Sequence, residues 1–158
     1  MLNLENQVCS LELAKKLKSL NVKQESLFWW SDWYKEGSYS VGYQSLPQKI
    51  RKTEADGSFL DRITDRISAF TCAELGEMLP WTFIAKRTSK FPEAEMFLMM
   101  SKDDSMGQKS FSIWYEGMYD DGEEFKWESI IEQNEAEARG KMLIYLIENG
   151  LCPSPSKT

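Results

Sequence analysis

The chain contains no histidine. That removes Ser-His-Asp and Cys-His catalysis, histidine-containing zinc sites and the commonest general base. Carboxylate or lysine chemistry stays open, but no recognisable catalytic motif is present, so the chain reads as non-enzymatic and no cofactor is expected. Cysteine is sparse. Cys9, Cys72 and Cys152 are odd in number, far apart and form no C-x-x-C pair, which fits reduced thiols in a reducing compartment. No apolar run approaches the ~20 residues a membrane helix needs. The start, Met1 to Gln7, lacks the basic and apolar regions of a secretion signal. A cytoplasmic protein that does not enter membranes is the expectation. A basic excess is missing as well. The net charge of −6 argues against the cationic footprint that double-stranded nucleic acid requires.

The acidity is local. From Glu116 to Glu137 there are nine acids and one lysine, whereas residues 1 to 115 carry fifteen of each sign. At 158 residues and 42% hydrophobic, the chain is of a size to fold as one domain with a real core. Aromatics are plentiful. "SLFWWSDWY", Ser26 to Tyr34, holds three tryptophans, a phenylalanine and a tyrosine.

Local signals order the rest. Leu13, Leu17 and Leu20 recur at helical spacing, with Val8 and Leu11 close to that face. Ser10 suits the N-cap and Asn21 the stop. Leu27 to Trp33 favours a strand. Lys35 to Ser38 signals a turn, and Tyr39, Val41 and Tyr43 alternate with Ser40, Gly42 and Gln44, which predicts a β-hairpin. Alternation puts aromatics on both faces of its first strand, so one face packs inward and the other is a candidate binding surface. Residues 45 to 66 are polar and irregular. "FLDRITDRI" reads either as a short helix with Leu60, Ile63 and Ile67 on one face or as a long excursion.

Thr71 and Glu74 form a capping box, Phe70 and Leu75 occupy the staple positions, and Pro80 ends a helix over 72–79. Three strands follow, over 96–101, 109–116 and 125–133, in an antiparallel meander with one buried face. Asn134 and Glu137 repeat the capping-box pattern. Ala138, Met142, Tyr145 and Leu146 mark a helix face, and Gly150 suits its left-handed stop. The order is α-β-β-α-β-β-β-α: a single α+β domain over 1–151, with an antiparallel sheet of about five strands, three helices, and a flexible tail over 152–158.

Three blocks, "NQVCSLELAKKLKSLNVKQESLFWW", "AFTCAELGEMLP" and "EAEARGKMLIYLIENGL", resemble small uncharacterised proteins encoded in bacteriophages and prophages of Bacteroidales and Firmicutes. The blocks cover roughly a third of the chain. The resemblance implies a phage or prophage origin and a bacterial cytoplasm. It implies no activity and carries no catalytic residues. The insert-like stretch from Leu46 to Arg66 departs from it.

The candidate ligand- or partner-binding residues are Trp30, Trp33, Tyr34, Tyr39, Tyr43, Trp114 and Trp127, since Trp and Tyr dominate binding hot spots and stack on rings. Arg51, Lys86 and Arg87 join them. Two basic groups, Lys49–Arg51–Lys52 and Lys86–Arg87–Lys90, flank the central helix in sequence and would serve an anionic ligand if they converge. The acidic turn "YDDGEEF" lacks EF-hand spacing and reads as a hairpin turn, so no metal is assigned. Cys72 sits where a helix start favours a thiolate, although a small hydrophobe in the first turn is the simpler reading. A protein partner or self-association through an aromatic sheet face or open edge is the first expectation. A small anionic, nucleotide-like ligand is the second.

Overall fold

Side-chain caps start all three helices where the sequence places them. Ser10 Oγ accepts from the Leu13 amide at 3.3 Å and opens α1, Leu11–Ser19. Thr71 and Glu74 make the reciprocal capping box of α2, Cys72–Met78. Asn134 Oδ1 accepts from the Ala136 amide at 2.8 Å and opens α3, Glu135–Glu148. Helices α1 and α3 both end in the Schellman pattern. Asn21 and Gly150 sit at φ 61° and 68°, while Val22 N–H donates to Leu17 O and Leu151 N–H to Leu146 O.

One cap differs from its expectation. Glu137 does not turn back to Asn134. Its Oε1 accepts from the Ser10 backbone amide. Helices α1 and α3 pack together, and the carboxylate meets the amide that precedes α1 rather than its own.

These elements come from a computed structural model that describes residues 4–35, 38–43, 50–53, 59–62, 66–85, 94–104, 109–118, 124–126 and 129–152. The predicted hairpin forms from β1, Phe28–Lys35, and β2, Ser38–Tyr43. Trp30 faces Val41 across it and Ser31 faces Ser40. The helix reading of "FLDRITDRI" is overturned. Ile50–Thr53 (β3) pairs with Phe59–Arg62 (β4), and Arg66–Ser68 (β5) pairs with the other edge of β1. Ile67, β-branched and buried, lies directly opposite Trp30. That cross-strand pair outweighs the weak helical spacing.

The second sheet runs β10-β8-β7-β6, with β9 also on β8. Its strands are β6, Thr82–Ala85, β7, Ala94–Asp103, β8, Ser110–Met118, β9, Glu124–Lys126, and β10, Ile130–Glu132. Strand β6 was not expected, and the strand expected over 125–133 is two short ones. Among the described residues the strands form three antiparallel sheets, one of them five-stranded, rather than a single sheet. The class is α+β as read.

Helix α3 joins the two halves. It packs on α1 and α2 on one side and on β8 and β10 on the other, and buries Ala136, Ala138, Met142, Leu143 and Leu146. Gly140 permits the close approach. A Cβ there would come within 2.4 Å of Leu13 Cδ2.

Candidate functional site

Strand β7 carries apolar side chains on both faces. Ala94 and Met96 point inward and are buried, while Phe97 is 46% exposed and Met99 also faces outward. Register carries the pattern across the sheet. Leu98 faces Tyr115 and Met96 faces Phe83 on the inner side. Met99 faces Trp114 and Phe97 faces Glu116 on the outer side. Ile113 pairs with Ile130 within, leaving Ile131 outside, opposite Ser112. Strand β6 adds Ile84 at the outer edge.

The inner face is closed at its centre, and Met100 at its far end stays 44% exposed. Tyr115 is buried, its hydroxyl donates to Pro80 O at 2.5 Å, and its ring meets Phe83 edge-on at 4.9 Å. Burial holds its phenol well above the usual tyrosine range. The outer face is open. Ile84 is 63% exposed and Ile131 61%. Trp114 is half-buried, and its indole N–H donates to Glu116 Oε2 at 2.9 Å two positions along the same strand. Ile131, Trp114, Met99, Phe97 and Ile84 thus form one diagonal apolar stripe. Trp81, just before β6, is 74% exposed. Contiguous apolar stripes on a protein surface are often functional.

Charge frames the stripe. Alternation puts Glu95, Asp103 and Glu116 at outward positions of β7 and β8. Pairing with β9 puts Lys126 opposite Glu116, and Glu124 opposite Met118.

Of the aromatics read from the sequence, Trp114 lies in this stripe. Trp30 does not belong to a surface. It is 8% exposed, packed in the core, and its indole N–H donates to Cys9 O at 3.1 Å. The other face of β1 is covered too, with Ser31 and Ser68 buried. Both aromatic faces of "SLFWWSDWY" are therefore occupied at their centre. Tyr39 is half-buried on β2, with Lys15 Nζ 4.9 Å from its ring centroid. Trp33, Tyr34, Tyr43 and Arg51 lie on β1, β2 and β3, where the description is of the backbone. Arg51 faces Asp61 across the β3–β4 pair. Lys86, Arg87 and Trp127 lie outside the described residues, as do the acidic turn over 119–123 and the tail beyond Cys152. Sequence reading missed Ile84, Phe97, Met99 and Ile131. For Phe97 and Met99 the signal was the unbroken run "MFLMM", apolar on both parities; Ile84 and Ile131 had no such local signal.

A second feature is concave. A cleft of about 700 Å³ lies between the starts of α2 and α3, lined by Gln7, Cys72, Lys109, Phe111, Gln133 and Asn134 among others. Among the described residues no group of three or more acidic or cysteine side chains is placed to hold a metal ion. No helix among them is long and apolar enough to cross a membrane. No protein-family model, curated protein or solved structure matches the chain.

Proposed function

We propose that this is a non-enzymatic binding protein that engages a partner protein through the outer face of its second sheet. The open apolar stripe of Ile84, Phe97, Met99, Trp114 and Ile131 carries this reading. Large apolar side chains in an unbroken row on a sheet face are disfavoured in water, and covering them supplies the driving force of association. The blocks that resemble phage and prophage proteins support an accessory role against or alongside a factor of the bacterial host.

Affinity capture with the full chain from a host lysate tests it. Phe97→Glu is run beside Leu27→Glu, a control at an exposed apolar residue before β1. One protein retained in stoichiometric amount by wild type and by Leu27→Glu, but lost with Phe97→Glu, is expected. Hydrogen exchange in the retained complex slows on β7 and β8. An identical set of proteins captured by all three chains overturns the reading.

The cleft that Lys109 and Gln133 line together with Glu135 is the place for a second reading, a small ligand with an anionic group held by the Lys109 ammonium. Native mass spectra of the protein from its host decide for it if a nucleotide-sized mass is lost on denaturation.

A further inference from the structure

We infer that the cleft beside Lys109 and a smaller apolar pocket next to it form one site for an amphiphilic monocarboxylate, an apolar body the size of one aromatic ring with a single anionic end. This narrows the small-ligand reading above, on which it rests, to one chemical class.

The two cavities are continuous. A pocket of about 220 Å³ lies between α3 and the inner face of the second sheet, at the end where Met100 stays exposed. Phe111 and Glu135 line both this pocket and the cleft, so the two lie side by side. Lys109, Phe111 and Ile113 stand at alternate positions of one segment and therefore run in a row, with Lys109 at the cleft end and Ile113 at the pocket end. At strand spacing that row spans roughly 13 Å, the reach of a phenyl ring carrying a short acid chain.

The pocket end is apolar. Met100, Phe111, Ile113 and Ala138 contribute its hydrophobic walls. A dry cavity of about 150 Å³ with walls of this kind takes up benzene. A volume of about 220 Å³ holds one ring with a substituent.

Charge chooses the other end. Among the described residues, Glu135 is the one acid that lines either cavity, and it is already matched. Arg139 Nε and Nη2 both donate to its Oε1, at 2.9 and 2.6 Å. Lys102, at the pocket, pairs with Asp104 at 2.9 Å. Lys109 has no ion pair among the described residues. One unmatched ammonium answers one carboxylate. A nucleoside triphosphate would bring several charges, and the polar edges of its base would lie unpaired against apolar walls, which is costly.

The probe is 4-phenylbutyrate. Its neutral twin is 4-phenylbutanol, and acetate is the acid without the body. Each is titrated into isotope-labelled full-length protein and followed by NMR. Phenylbutyrate is expected to shift the amides of residues 109–113 and 135–139 saturably. The alcohol should bind at least about fivefold more weakly, and acetate should not bind in the same range. Lys109→Gln should erase the difference between acid and alcohol. Met100→Glu, at an exposed position, should weaken both while the urea midpoint stays at the wild-type value. Bound phenylbutyrate should also slow alkylation of Cys72 by iodoacetamide, since Cys72 lines the cleft. Equal affinity for acid and alcohol, or acid binding unchanged in Lys109→Gln, overturns the inference. Binding of inorganic phosphate that depends on Lys109, with none of phenylbutyrate, overturns it too and leaves the small-anion reading standing. If neither phenylbutyrate nor phosphate moves these amides, the small-ligand reading itself fails.

Discussion

The two halves of the molecule solve the same problem in opposite ways. In the N-terminal half, many polar atoms are drawn into the fold and bonded there, although the buried Trp29 Nε1 and Ser68 Oγ find no hydrogen-bond partner. Glu74 accepts from the Thr71 amide and hydroxyl, from Ser26 Oγ and from the Leu27 amide, at 2.7 to 3.0 Å. The Asn134 amide group donates to Val8 O, Trp30 to Cys9 O, and Gln24 Oε1 accepts from the Ser68 amide. Cys9 N–H donates to Phe70 O. Chain segments far apart in sequence are tied by these bonds, and both faces of β1 are closed. In the C-terminal half, the ladder of β7 and β8 is long and regular, yet one face is left apolar and bare. A half that hides its polar groups is built for stability. The bare apolar face is what the proposed binding reading draws on, because exposed apolar area lowers free energy only when something covers it.

Substitutions in the two halves should then separate stability from binding. The largest loss is expected at Glu74. Glu74→Ala removes the acceptor of four hydrogen bonds and leaves partly buried donors unmatched, costing about 3 kcal/mol in urea unfolding. Gly117→Ala follows. A Cβ at this buried position of β8 would lie 2.7 Å from the Glu95 carbonyl oxygen, a backbone atom that cannot step aside cheaply, so about 2 kcal/mol is expected.

The paired tryptophans sharpen the contrast within the first half. Trp30→Phe strands the Cys9 carbonyl. Trp29→Phe deletes a buried indole N–H that has no hydrogen-bond partner. Trp30→Phe should be the more damaging by about 1 kcal/mol, measured under the same conditions. The smallest effect belongs to the outer face. Phe97→Glu should stay within about 0.5 kcal/mol of wild type while abolishing partner capture. A large loss of stability there would mean that the stripe is structural and the halves are alike.

Alkaline pH supplies an independent probe of the closed half. Burial pushes the Cys9 thiol up to about 12 from an ordinary 9.0. Between those values the unfolded chain has released this proton and the folded chain has kept it. Stability therefore falls as pH rises from about 9 toward 12. Cys9→Ala should flatten that slope, read from urea midpoints across the range. At neutral pH, Cys9 should resist thiol reagents that modify the half-buried Cys72.

Much of the local architecture was legible because its causes are local. Ser10, Thr71 and Glu74 announce helix starts within four residues of the amides they serve. Asn21 and Gly150 stand one residue past the C-caps. The β1–β2 turn carries its own residues. What escaped the sequence had distant causes. Ile67 became a strand residue because Trp30, 37 positions earlier, stands opposite it. Glu137 left its own helix cap for Ser10, 127 residues away. Trp30 read as a binding aromatic, and only its packing against Ile67 and its bond to Cys9 put it inside.

The sequence by itself determined the class, the helix boundaries, the hairpin, the acidic stretch and the chemistries that a chain without histidine forgoes. It also determined that β7 would be apolar on both sides. The tertiary structure alone decided which of those sides is bare. Period-two alternation sorts side chains into two faces but says nothing of what lies against each. That depends on where α3 docks, and α3 packs on α1 and α2 as well as on β8 and β10. That packing covers the β8 and β10 part of one face, and Ile84, Phe97, Met99, Trp114 and Ile131 are left on the other.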